Sequence, residues 1–234
     1  MISRFLLSAL FLLLLSDIAA AQDNKNADNK NADNKNADEK PLRVILDASS
    51  AEDLKPWGEK VQKMCEEWHP KIAKLLESDG FTPPREIKLV FKKDLKVPGA
   101  TAGATVFMSP DWVTKHPDDV GMVIHELTHA IQSYPKYDHG WLVEGIADYI
   151  RFFHFEPHAR LGPIDPQRAK YKDGYRTTAA FLNHAQKHNP QLVLKLNAAL
   201  RKNEYKEAMF EELTGKSADA LWAEFVETLK AKKD

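Results

Sequence analysis

Two histidines four residues apart, His125 and His129, stand inside an apolar run, Val123-Ile124-His125-Glu126-Leu127-Thr128-His129-Ala130-Ile131. Residues four apart share one face of an α-helix, so both imidazoles converge from a single element. Burying two imidazoles and a carboxylate among such neighbours is costly unless those groups have partners. An ion held at about 2.0 to 2.1 Å by each ring supplies one, and Zn2+ is the ion this donor set suits. Glu126, beside the first histidine, then reaches an ion-bound water without being a ligand, and its expected role is general base. The competing reading makes both histidines hydrogen-bonded core residues and leaves Glu126 exposed.

The next apolar segment, Trp141-Leu142-Val143-Glu144-Gly145-Ile146-Ala147-Asp148-Tyr149-Ile150-Arg151, carries two carboxylates on one helical face. A catalytic zinc site uses three protein ligands, and Glu144 supplies the third. Asp148, one turn on, accepts the free ring N–H of a ligating histidine, with His125 the favoured partner. Two other readings stay open: the roles of Glu144 and Asp148 reversed, or both carboxylates merely paired with Arg151 or other cations. A third histidine ligand is disfavoured, because Gln132 and Pro135 stand where the extended metzincin pattern has glycine and histidine, which leaves His139 a weak candidate. For an oxyanion donor the candidate is Tyr175, which follows Asp173-Gly174 at a helix start, against the alternative of a packing aromatic. His139 and Tyr149 are lesser candidates.

These segments resemble the plant basic secretory protein family, which has bacterial members. The likeness runs in outline from about Leu42 to Leu229 and takes in Asp173-Gly174-Tyr175, Thr178, Ala179 and Phe181-Leu182. It is most specific across residues 123 to 151. The family is grouped with gluzincin-like zinc peptidases. The resemblance therefore implies export, a thermolysin-like pair of site helices, Zn2+ on His125, His129 and Glu144, and peptide hydrolysis with Glu126 as base. In gluzincins an acid four residues after the glutamate ligand is its outer partner, which implies that place for Asp148. Two features depart from the family pattern: a net charge of -1 from 33 Lys plus Arg against 34 Asp plus Glu, and a repeated Asn-Lys-Asn-Ala-Asp segment.

That charge balance offers no footprint for nucleic acid. Arg4 precedes an apolar run from Phe5 to Leu15, with Ala19, Ala20 and Ala21 following, which reads as a signal peptide over 1–21. The run is too short to span a bilayer, so no stable membrane insertion is expected once the signal is removed. Residues 22–40 hold the repeat and read as a disordered linker, and 41–234 as one domain. Cys65, the only cysteine, reads as a buried, inert thiol.

Within the domain, strands are expected at Leu42 to Leu46, Ile87 to Phe91 and Ala104 to Met108, with Pro98-Gly99-Ala100 as a turn. A helix through Trp57, Val61, Met64, Trp68, Ile72 and Leu75 should kink or break at Pro70. Helices follow at about 117–133, 141–154, 175–188, 190–202, 205–213 and 218–232, the first opened by Pro117-Asp118-Asp119 and the last by Ser217. The fold class is α+β: a small N-terminal sheet with a helix on it, the His-Glu-x-x-His helix, then a mainly helical part. Substrate peptide is expected to add as a strand along Thr101 to Phe107, against the alternative of an internal strand with no substrate contact. The function these readings favour is a secreted, extracellular or periplasmic, zinc metalloendopeptidase acting on peptides or proteins. The alternative is an inactive zinc-binding or surface-interaction module, which would have no need of Glu126.

Overall fold

The computed structural model describes residues 41–231. The signal-peptide and linker expectations, for 1–21 and 22–40, lie outside the described residues. The domain is α+β. Its sheet comprises β1 (Arg43–Asp47), β2 (Glu86–Phe91), β3 (Gly99–Ala102) and β4 (Thr105–Met108), in the order β1-β2-β4-β3. The pairs β1–β2 and β2–β4 are parallel, and β3–β4 is an antiparallel hairpin. Alternation along β2 buries Ile87, Leu89 and Phe91 on one face, as a half-covered strand requires.

Among the described residues eight α-helices accompany the sheet: α1 (Lys55–Leu75), α2 (Pro110–Lys115), α3 (Gly121–Gln132), α4 (Gly140–Ile150), α5 (Tyr175–Ala185), α6 (Leu192–Lys202), α7 (Met209–Thr214) and α8 (Ala218–Lys230). Helices α1 and α3 pack on the sheet and on each other, α4 lies against α3, and α5 joins α4 to α8. Among the described residues no helix is long and apolar enough to cross a membrane.

Several boundaries differ from expectation for identifiable reasons. Helix α1 runs through Pro70 unbroken, because Val61, Cys65, His69 and Ile72 are all buried along its length. That burial outweighs the roughly 3 kcal/mol that an interior proline costs. The Pro98-Gly99-Ala100 turn is instead the start of β3. Glycine is needed at 99 for close approach: a Cβ there would lie 2.6 Å from Met122 Sδ and 2.8 Å from Glu126 Cγ. The turn proper is at Gly103, where φ is +57°.

Helix α3 begins at Gly121 rather than near 117. Pro117, Asp118 and Asp119 form a turn whose Asp119 carboxylate accepts from Trp112 Nε1 at 2.9 Å and Arg151 Nη2 at 2.5 Å. The short helix α2, capped by Ser109 accepting from the Trp112 amide, was not expected. Helix α4 passes into one π-helical stretch, Arg151–Phe155, which aims Arg151 at Asp119 and Glu156. Helix α7 starts at Met209 instead of 205, and α8 starts at Ser217 as expected, the Ser217 hydroxyl accepting from the Ala220 amide.

Arg201, on α6, spans two helix ends. It donates to the carbonyls of Leu76, Gln132 and Ile131 at 2.9, 3.3 and 3.2 Å, and to the Ser78 hydroxyl. These carbonyls are at the C-terminal ends of α1 and α3, where the helix ladder leaves acceptors without donors. The Asn197 amide adds a bond to Leu76 O at 2.9 Å.

Cys65 is buried, and burial first, then Glu66, pushes its thiol up to about 12, in keeping with an inert core position. Two buried histidines carry a consequence for stability. Burial lowers His69 below its ordinary 6.5 against the opposing hydrogen bond to Pro84 O, and burial alone lowers His154. Both therefore take up a proton at lower pH in the fold than in the unfolded chain, so the unfolded chain takes up protons first as pH falls. Stability from this source is therefore complete above pH 6.5 and declines below it, towards the folded-state values. His125, whose pKa is raised, contributes in the opposite direction, so the test is a difference: between about pH 7.5 and 5.5 the urea midpoint of the parent should lose more, or gain less, than that of His69→Gln, and identical pH dependence in the two contradicts the assignment.

Candidate metal centre

Helix α3 presents His125, Glu126 and His129, and α4 presents Glu144 and Asp148 across from them. Gly145 permits the neighbouring α4–α5 contact, since a Cβ there would lie 2.1 Å from Thr178 Cγ2. The cleft between these helices and β3 has a volume of about 1120 Å³ and is lined by all five of these residues and by Tyr175. His139 and Tyr149 do not line it. The His139 ring packs on Tyr205, and the Tyr149 hydroxyl accepts from Gln186. Arg151 pairs with Asp119 and Glu156, so neither Glu144 nor Asp148 is a mere partner for that cation.

The outer nitrogens settle the inner ones. His125 Nδ1 lies 2.7 Å from Asp148 Oδ1, so this nitrogen carries the proton and donates. His129 Nδ1 lies 2.8 Å from Gln132 Oε1, whose identity as oxygen follows from Gln132 Nε2 donating to Val143 O at 3.0 Å. In the neutral rings both Nε2 atoms therefore present lone pairs. They face each other at 3.0 Å, with Glu144 Oε2 3.2 and 3.4 Å away. Two lone pairs and a carboxylate oxygen converge on one point with no donor among them. Only a cation or an added proton satisfies that arrangement. Ligands at about 2.0 to 2.1 Å in a tetrahedron are about 3.3 Å apart, close to the three separations here. His125, His129 and Glu144 could thus hold a metal ion, and their ligand atoms fall within 4.8 Å of one another.

Electrostatics agree with this. Burial works against the His125 imidazolium, but hydrogen bonds to Asp148 and Glu144 and the charges of Asp148 and Glu126 outweigh it and lift its pKa to about 9. Burial likewise opposes the Glu144 carboxylate, yet His125, His129 and Tyr137 pull it well below the ordinary carboxylate range. The group is built to hold positive charge.

Three residues here escaped the sequence reading. Thr101, on β3, places its hydroxyl 2.7 Å from Glu126 Oε2 and 2.9 Å from the Glu126 carbonyl. Gln132 orients His129. Tyr137, in the α3–α4 loop and 59% exposed, donates its hydroxyl to Glu144 Oε1. None has a motif, though a hydrogen-bonding residue three after His129 was a readable signal for Gln132. Tyr175, 56% exposed, stacks over His125 with ring centroids 6.1 Å apart and planes 13° from parallel. It takes φ +44°, so the ring is held there by an uncommon backbone conformation.

The expected substrate edge needs correction. β4 lies between β2 and β3, so Thr105 to Phe107 is interior to the sheet; the two edges among the described strands are β1 and β3, and only β3 (Gly99–Ala102) overlaps the expected segment.

The fold and cleft define an α+β protein with a candidate metal centre on two adjoining helices, beside edge strand β3 of its sheet. The family model described as "Peptidase of plants and bacteria" matches residues 26–225, and the chain belongs to that family. This bears out the resemblance to the basic secretory proteins. No curated protein and no solved structure gives a significant match. The family is one of peptidases, which implies peptide or protein substrates.

Proposed function

We propose that this chain is an exported, zinc-dependent endopeptidase. The observation that carries the reading is the convergence of His125 Nε2, His129 Nε2 and Glu144 Oε2 to within 3.0 to 3.4 Å of one another. Export rests on the segment from Arg4 to Ala21, and the endopeptidase reading on a cleft open along β3. Bound Zn2+ would supply a lowered water pKa and a polarised scissile carbonyl. Asp148 and Gln132 fix the two rings so that both Nε2 atoms face the ion. With Glu126 Oε2 accepting from Thr101, Oε1 is the atom that takes the proton from water and passes it to the leaving amine. Substrate backbone adds to the free side of Gly99–Ala102, where small side chains admit a second strand.

The Tyr175 phenol donates to the developing oxyanion. The charge of Glu144, then burial, raises its pKa, which keeps the proton available for donation. Tyr175→Phe is expected to lower kcat about 10²-fold with little change in KM, the signature of a transition-state contact. Tyr137→Phe instead removes a bond to a ligand, and should weaken zinc affinity about tenfold. Equal kcat for Tyr175→Phe and parent would remove Tyr175 from the mechanism.

Metal dependence is tested directly. A chelator should abolish cleavage of a peptide library, and one equivalent of Zn2+ should restore it. Because His125 holds a proton up to about pH 9 without metal, zinc uptake must release it. Apparent zinc affinity should therefore rise roughly tenfold per pH unit between pH 6 and 8. Cleavage that survives complete zinc removal would refute the reading.

A further inference from the structure

A second group of ligating side chains sits at the other end of α5. His184 is near the end of that helix, His188 is in the turn that follows, and Glu224 projects from α8. Their ligand atoms lie within 4.8 Å of one another, and His188 Nε2 is 3.0 Å from Glu224 Oε2. Tyr175 and His184 are nine residues apart on one helix, so the two groups are separated by roughly 14 Å along its axis.

The bland account is a surface ion pair, with Lys216 also bonded to Glu224 Oε1. It leaves His184 unexplained. His184 Nε2 is buried with no hydrogen-bond partner, and the ring is packed against Phe225 at 5.4 Å between centroids. An imidazole turned into a helix interface without a polar partner is a cost that a ligand would offset.

We propose that His184, His188 and Glu224 form a second, weaker site for a divalent transition-metal ion, which clamps α8 onto α5. Two imidazoles with one carboxylate select Zn2+, Ni2+ or Cu2+ over Ca2+ and Mg2+, which prefer all-oxygen shells. The His188 and Glu224 side chains are 30% and 37% exposed, so they can turn inward to close a 4.8 Å group to coordination distances. Lys216 occupies Oε1 and leaves Oε2 for the ion, and its charge makes the site weaker than the one on α3 and α4.

The test is calorimetric titration of the full chain with Zn2+. The parent should take up two ions, and His184→Gln/His188→Gln one fewer. In a His125→Gln/His129→Gln background, Zn2+ at about 100 times its Kd should raise Tm by roughly 5 °C or more, and adding Glu224→Gln should abolish the rise. The partly exposed single variant His188→Gln serves where the double variant does not fold. An ion count equal in parent and His188 variants, or a Tm rise that survives Glu224→Gln, overturns the second site. Failure of the first site reads differently: the parent then takes up one ion, and the His184/His188 variants take up none.

Discussion

Glu126→Gln is expected to keep about one Zn2+ per chain on the first site while kcat for peptide cleavage drops by about 10²- to 10⁴-fold. The side chain is close in size to the original, and the Thr101 hydroxyl can donate to a carboxamide oxygen as it does to Oε2. Neither the fold nor the ligand set changes. What is lost is an oxygen able to accept a proton from water, since an amide is not a base in this range. KM should change little, because the group acts on water and the leaving amine rather than on bound substrate. Metal analysis and steady-state kinetics on one preparation give both numbers. Retained activity would move the base elsewhere, whereas a loss of metal would mean that Glu126 is a ligand after all.

The second large effect separates Glu144 from Asp148. Glu144→Gln should cost the protein its stoichiometric zinc, and with it all measurable cleavage, because two neutral imidazoles remain without the anion that completes the group. Asp148→Asn should weaken zinc by about 10- to 100-fold and leave activity recoverable at high zinc, because the change reaches the ion only through His125 Nδ1. Competition against a zinc dye of known affinity reports both variants. The reverse ranking would assign the ligand role to Asp148, the alternative that helical spacing alone leaves open.

That alternative shows where residue patterns stop being informative. Positions 125, 129, 144 and 148 were legible because helices α3 and α4 have strict periodicity, and polar groups stand out on apolar faces. The pairing of Asp148 with His125 was also legible, since one helical turn beyond Glu144 reaches only so far. Thr101 was not, because a hydroxyl in a stretch of small residues looks the same whether it faces solvent or Glu126. Gly99 misled for a related reason. Glycine next to proline reads as a turn, while here the missing side chain makes room for Glu126 and Met122. Tyr137 belongs to a loop with no period to read. The helix starts at 121 and 209 came late because Asp119 serves Trp112 and Arg151, and the segment before Met209 is a turn. Tertiary demand outranked local capping chemistry at the first of these.

Arg201 links these local facts to the behaviour of the whole domain. Its one guanidinium closes the ends of α1, which packs on the sheet, and of α3, which ends three residues after His129, while its own backbone belongs to the C-terminal helices. The last turn of the ligand helix therefore borrows its order from a segment some seventy residues downstream. Fraying at α6 would be felt as slack in the His129 ring, so the rigidity of the first site is a collective property of the chain and cannot outlast the packing of its C-terminal half.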